Sequence, residues 1–308
     1  MKPSIILVII ILILLTACQS AMPLTTAQPH RVYIPALMYN YPPPLFGIEL
    51  EGATNLEAYY RGDIIKVSHH MDRPLDLLLT KLAGYDDGPV FLSLKGAKTW
   101  WVTPTCKPVP ELFWDGWTTE AITAIRLTGA DIVEIGNEPA TDETFYEMFF
   151  GCWGTTYANG VYYGRFVSHV SGILHLEFPE LIMLGGAFAH DPGDFSRGFA
   201  DTVSNIDGVS FHGHTYCNTD YKTGLTTRRD AYRATFQALP LYLSETSMIF
   251  AEYSAECEQQ QADFAEWLLT DFSGVQVIIW YTLCDNAWLN SDLCKKLAWD
   301  VYESEMMR

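Results

Sequence analysis

Two glutamates in this sequence have the type and setting that chemistry needs, and each closes a β-branched or apolar run. Glu138 stands in IVEIGNEPA (132–140), where a Gly-Asn-Glu-Pro turn follows the run, and Glu245 stands in LPLYLSETS (239–247). A single loop carboxylate is ordinarily a solvated charge. Two that converge can do more: one, kept protonated, donates to a departing glycosidic oxygen, while the other, ionised, meets the oxocarbenium-like carbon from the opposite face. Like-charge proximity raises one pKa and hydrogen bonds to the anion lower the other. Direct attack requires carboxyl groups about 5–5.5 Å apart, against roughly 6.5–9.5 Å when a water must fit between them.

Such a pair has to be positioned by elements far apart in the chain. From Leu45 onward, short apolar runs alternate with helical patterns. The strand candidates are LFGIEL (45–50), DIIKV (63–67), VFLSLK (90–95), DIVEIG (131–136), LIMLGGA (181–187), GVSFHG (208–213), LYLS (241–244) and VQVIIWY (275–281). Between them the spacing predicts helices with one apolar face. Leu75, Leu78, Leu79 and Leu82 form one such face, with Phe166, Val170, Ile173 and Leu174 on a second and Phe264, Trp267, Leu268 and Phe272 on a third. A further helix carries Ala121, Ile122 and Ile125, with Thr118 as its cap, and a poorly marked one spans 54–61. Eight βα units imply an α/β fold, a (β/α)8 TIM barrel in a single domain over 45–308, whose length of about 260 residues suits one such domain. An open doubly wound sheet is the alternative. Active sites of the barrel lie on the loops after the strands. Glu138 follows strand four and Glu245 follows strand seven.

Six cysteines fall in the same loops: Cys106 after strand three, Cys152 after four, Cys217 after six, Cys257 after seven, Cys284 and Cys294 after eight. Adjacency pairs Cys106 with Cys152, Cys217 with Cys257 and Cys284 with Cys294, if the compartment is oxidising. Aromatic residues crowd these loops too: Trp100, Trp101, Trp114 and Trp117 after strand three, Tyr146, Phe149, Phe150 and Trp153 after four, and Trp288 after eight. Rings so placed, Trp101 among them, could line a saccharide cleft. Glu49 and Lys95, ending strands one and three, are candidate polar contacts for the substrate.

Gly136-Asn137-Glu138-Pro139 on strand four, with Glu245 on strand seven, resembles glycoside hydrolase clan A, the retaining (β/α)8 glycosidases. The resemblance spans the barrel in element order and rests on few residues. It implies that Glu138 is the general acid/base, Glu245 the nucleophile, and Asn137 a contact for the sugar 2-hydroxyl. In FHGHTY (211–216), which resembles the clan's strand-six aromatic or histidine near the nucleophile, it also implies a contact with Glu138 or a sugar for His214 and a Tyr216 hydroxyl donating to Glu245, and on strand eight a subsite floor for Trp280. The sequence departs from the clan at strand two, where several families place an arginine that bonds the nucleophile. Here Lys66-Val67-Ser68-His69-His70-Met71-Asp72-Arg73 stands there, and His69, His70 and Arg73 remain open as substitutes.

A metal-dependent hydrolase is a competing reading, since His69, His70, Asp72, His212, His214 and Asp285 could share one rim. The His-x-His of metal-dependent amidohydrolase barrels, however, belongs to strand one, which here offers only Glu49 and Glu51. No metal and no cofactor is therefore expected. A non-catalytic carbohydrate-binding barrel is the other alternative, although binding alone has no use for opposed carboxylates.

The remaining features bear on location. An apolar run from Ile5 to Leu15 is shorter than the roughly 20 residues of a spanning helix and reads as a secretory signal. Leu15-Thr16-Ala17-Cys18 resembles a bacterial lipobox, which implies a signal peptide over 1–17 and a lipid on Cys18. A polar, then Pro-rich linker runs to residue 44. The expected protein is thus extracytoplasmic and held to a bacterial membrane through that lipid. With 37 acidic against 19 basic residues and a net charge of −18, nucleic acid is excluded as a partner class. A monomer acting on an oligo- or polysaccharide is the expectation.

Overall fold

The computed structural model describes residues 44–49, 63–71, 73–82, 85, 88–96, 108–140, 153–190, 192–249 and 254–281. All of these lie in the unit Tyr33–Arg308. The signal segment, Cys18, the helix expected at 54–61, Asp72, Trp101, Cys106, Cys152, Cys284, Asp285, Cys294 and the loop aromatics Trp100, Tyr146, Phe149, Phe150 and Trp288 lie outside the described residues.

Every expected strand forms: β1 Leu45–Glu49, β2 Ile64–His70, β3 Val90–Lys95, β4 Ile132–Ile135, β5 Ile182–Phe188, β6 Gly208–His212, β7 Leu241–Thr246 and β8 Val277–Trp280. They are parallel and close into a barrel in the order β1-β8-β7-β6-β5-β4-β3-β2. Two strands outrun their apolar signal. β2 continues through Ser68, His69 and His70, and β7 continues to Thr246, so polar residues that read as loop belong to the barrel wall.

Among the described residues six helices cover the outside: α1 Asp76–Leu82, α2 Trp114–Thr128, α3 Tyr157–Glu177, α4 Asp194–Ala200, α5 Tyr221–Phe236 and α6 Ala255–Thr270. Three start on a side-chain cap: Thr156 accepts from Asn159 N, Asp220 from Thr223 N and Ser254 from Cys257 N, each satisfying one of the unpaired amides of a first turn. Thr118 caps nothing. Its helix starts earlier, at Trp114, and the Thr118 hydroxyl donates back to Trp114 O inside the helix. The apolar face of α1 also divides, with Leu78 buried and Leu79 43% exposed.

Side chains on the two faces of each strand alternate between helix layer and barrel interior. Outward residues such as Val67, Leu92, Val133 and Phe211 join the large core under the helices. Inward, the barrel is layered. Its lower half is hydrocarbon, from Ile64, Phe91, Ile132, Ile182, Leu184, Tyr242, Val277 and Ile279. Its upper half is polar: Glu49, Lys66, Ser93, Glu134, Ser210 and Ser244 are fully buried there.

Two irregularities shape the upper rim. The register of β7 shifts against both neighbours, between Phe211/His212 on β6 and between Ile278/Trp280 on β8. With Tyr242 and Ser244 facing inward, strict alternation would send Glu245 outward. The shift, a bulge beside a site, brings it back in. β5 shifts likewise between Gly185 and Phe188, where Gly186 and Ala187 have φ of 117° and 48°. Beyond the rim, Thr215–Tyr216 pairs with Met248–Ile249 as a short parallel ribbon. Cys217, next along the chain, is disulfide-bonded to Cys257 in the first turn of α6, as adjacency implied.

Candidate active site

The turn after β4 holds Glu138 in an unusual backbone state. Gly136 has φ 87° and Glu138 φ 45°, the left-handed region that glycine enters freely and other residues enter at a cost. A Cβ at Gly136 would lie 2.5 Å from the Tyr163 hydroxyl, which itself donates to Ile135 O. The Glu138 amide donates to Ala187 O across the rim at 3.0 Å. Fixed at both ends, the turn aims the Glu138 side chain over the barrel mouth. Asn137 lies beside it, 2% exposed.

His212, fully buried at the end of β6, joins the two glutamates. Its Nδ1 is 2.9 Å from Glu138 Oε1 and 3.6 Å from Glu245 Oε2. Burial pulls its pKa down, but the charges of Glu245, Glu138 and Glu134 and the hydrogen bond to Glu138 outweigh that and leave it raised. A protonated His212 donates from Nδ1 to Glu138. His214 stands on the other side, with Nε2 3.7 Å from Glu245 Oε2 and Nδ1 2.8 Å from Ser247 Oγ.

Beneath Glu245 lie two lysines. Lys66 Nζ donates to Glu245 Oε1 at 2.8 Å and to Ser244 O at 3.0 Å, and Lys95 Nζ donates to the same Oε1 at 3.1 Å. Glu49 Oε2 is 3.1 Å from Lys66 and its Oε1 is 3.3 Å from Lys95. Glu134 Oε2 is 3.4 Å from Lys66 and accepts from Ser93 Oγ at 2.8 Å. Burial alone would raise the Glu245 pKa; the charges of His212, Lys66 and Lys95 reverse it and hold the carboxyl well below its ordinary range. Burial pulls Lys66 down, yet Glu134, Glu245 and Glu49 together push it above the usual lysine range. Glu245 is therefore an anion, and Lys66 a cation, at neutral pH.

Several expected contacts fall elsewhere. Tyr216, on the outer ribbon, is 59% exposed, and His214 takes the place beside Glu245 expected for its hydroxyl. Trp280 points into the helix layer, its ring 5.8 Å from Phe264 of α6, so it floors no subsite. Tyr281, the next residue, is the ring at the mouth, 5.6 Å from His214 and 6.0 Å from Lys95 Nζ. Glu49 is fully buried and its carboxylate is committed to Lys66, Lys95 and Ser68 rather than to a substrate. Lys95 keeps a place at the mouth. Trp114, Trp117 and Trp153 pack on Phe166 of α3 instead of lining a cleft. Arg73, beyond the end of β2, is exposed and its amide donates to His70 O; on β2, Lys66 reaches Glu245.

Lys66, Glu134 and Tyr281 completed the site without having been singled out for it, and His212, weighed only as a metal ligand, joins it as the partner of Glu138. The signal was available for three of them: a charged side chain at an inward position of an apolar strand must be paired.

Glu138, His212, His214 and Glu245 each offer one ligand atom, all within 4.8 Å of one another. A divalent ion could reach this donor set. It would have to displace the Glu138–His212 hydrogen bond and share a carboxylate already neutralised by two ammonium groups, so the residues fit a proton-transfer pair better than a metal.

No protein-family model matches the chain, and no curated protein matches it. Its fold is shared with solved barrels. PbGH5A, a glycoside hydrolase family 5 enzyme from Prevotella bryantii B14, is 10% identical with a TM-score of 0.57, over 86% of this chain and 95% of that one. SrfJ from Salmonella typhimurium is 11% identical at 0.54, over 78% of this chain and 65% of its own. A GH5 cellulase from an Icelandic hot spring isolate is 13% identical at 0.53, over 79% and 76%. The described chain thus spans about two thirds of SrfJ. These likenesses establish the eight-stranded parallel barrel, as found in glycoside hydrolases.

Proposed function

We propose that the chain is a retaining glycoside hydrolase that cleaves O-glycosidic bonds of an extracellular oligo- or polysaccharide, with Glu245 as nucleophile and Glu138 as acid/base. One observation carries the reading: oxygens of the two carboxylates converge to within 4.8 Å at the barrel mouth. An approach of single oxygens that close suits direct attack better than a water held between carboxyl groups roughly 6.5–9.5 Å apart. Glu245 is held as an anion, as a nucleophile must be, and Glu138, 21% exposed, opens to the mouth.

In the first step Glu245 bonds to the anomeric carbon as its bond to the glycosidic oxygen breaks, and Glu138 gives that oxygen a proton. In the second, Glu138 takes a proton from water, whose oxygen displaces Glu245. His212, bonded to Glu138, balances the charge Glu138 acquires between the steps. The shared fold with glycoside hydrolase structures supports the same class. The lipobox-like Leu15-Thr16-Ala17-Cys18 supports an extracytoplasmic, lipid-anchored chain.

A panel of β-linked glucans, mannans and xylans, with the product anomer read by NMR at early time, tests the proposal. Wild type should release product of retained configuration, with Glu138→Gln slower by roughly 10²–10⁴-fold and Glu245→Gln inactive. Inverted product would exclude the mechanism, and binding that persists with no hydrolysis of any glycan would favour a carbohydrate-binding barrel. Activity lost to a chelator and restored by a divalent ion would favour the metal site.

A further inference from the structure

The two oxygens of Glu245 have unlike surroundings. Oε1 accepts from Lys66 Nζ at 2.8 Å and from Lys95 Nζ at 3.1 Å. Oε2 faces the imidazoles of His212 at 3.6 Å and His214 at 3.7 Å, beyond hydrogen-bond length. Both lysines are in turn held from beneath. Glu49 of β1 reaches each of them, and Glu134 of β4 reaches Lys66. Lys66 has no exposed surface, and only 5% of the Lys95 side chain is exposed. Neither ammonium can turn away to solvent.

We propose that Lys66 and Lys95 act as a two-ammonium clamp on Oε1 of Glu245, which leaves Oε2 as the oxygen that bonds to the sugar. Both are positioning residues, acting through Glu245, and the assignment rests on the reading of Glu245 as nucleophile. A carboxylate free to rotate would offer its two oxygens in turn. With Oε1 held by two charge-assisted bonds from adjacent strands, the plane of the group is set before substrate arrives, so no ordering is required at the moment of reaction. Lysine suits a buried position where one compact charge must meet several carboxylates, as Lys66 does with Glu245, Glu49 and Glu134. Glu49 and Glu134 have a reason to be there as well. Two lysines alone would repel each other beneath one carboxylate.

Among the described residues, the titratable groups facing Glu245 are Glu49 from β1, Lys66 from β2, Lys95 from β3, Glu134 and Glu138 from β4 and its turn, His212 from β6 and His214 beyond it. Removing either lysine leaves the acidic members in excess, so the Glu245 proton is bound more tightly.

Labelling of carboxyl groups by a water-soluble carbodiimide, which reacts with the protonated form, reads this directly. The full-length chain is labelled across a pH series and Glu245 is followed by peptide mass spectrometry. Lys95→Met and Lys66→Met should bring the onset of Glu245 labelling to higher pH by roughly 1–3 units, and Lys95→Arg should restore the wild-type onset. In turnover, the acidic limb of kcat/KM should move the same way, with kcat falling at least about tenfold and KM nearly unchanged. If Lys66→Met fails to fold, Lys95→Met at the mouth carries the test. An onset unmoved in Lys95→Met, and in Lys66→Met where it folds, would overturn the clamp. A shifted onset in a chain that hydrolyses no glycan would leave the clamp standing and remove the hydrolase.

Discussion

At the scale of residues, the upper barrel is an ionic layer in which each charge sets the state of the next. The carboxyl of Glu134 is fully buried; burial alone would raise its pKa from the ordinary 4.5, but Lys66 and then His212 bring it below that value. Glu245 is lowered more strongly. A group whose folded pKa is depressed contributes stability that is present above its unfolded pKa and lost as pH falls through the folded one. Acidification below about 4.5 should therefore unfold the chain progressively as these two groups protonate. His212 runs the other way. Its raised pKa favours the fold below about 6.5 and that contribution fades as pH rises through the folded value. Thermal melts across the acid range check the sign: Glu134→Gln should be less stable than wild type at neutral pH, yet lose less on acidification. Parallel pH profiles for the two would mean that Glu134 is not an anion in the fold.

At the scale of elements, the turn after β4 and the bulge in β7 place the two glutamates. Gly136 at φ 87° has the Tyr163 hydroxyl where a side chain would go. Gly136→Ala should cost about 1–3 kcal/mol through backbone strain, read as a lower midpoint in denaturant, with a fall in activity because Glu138 hangs on the same turn. An unchanged midpoint would show that the turn tolerates a side chain. The barrel and its strand count were legible in the sequence because eight apolar runs with helical spacers leave few alternatives. So were Glu138 and Glu245 as a pair at the rim. The direction of individual side chains was not. Glu245 points inward only because register slips at Ser244, and Trp280 points outward while Tyr281 faces the mouth, both set by hydrogen-bond ladders that a run of residues does not display. Lys66 was hidden for another reason: one charge in an apolar strand names no partner until the strands that carry Glu49, Glu134 and Glu245 are brought around it.

At the scale of the whole molecule, the barrel separates stability from chemistry, with hydrocarbon filling its lower half and ions its upper half. The proposed anchor at Cys18 has its own check. Cys18→Ala, expressed with the native leader, should shift the protein from the membrane fraction to a soluble one and abolish incorporation of a labelled fatty acid; retention in both would exclude the lipid. No helix among the described residues is long and apolar enough to cross a membrane. The bridge between Cys217 and Cys257 completes the picture, because it spans 40 residues and fastens the ribbon just beyond His214 to the start of α6. Its consequence is practical. A preparation made in a reducing cytoplasm would carry both glutamates of the proposed pair and still leave one wall of the mouth untethered, so the choice of expression host becomes part of any test of the proposed activity.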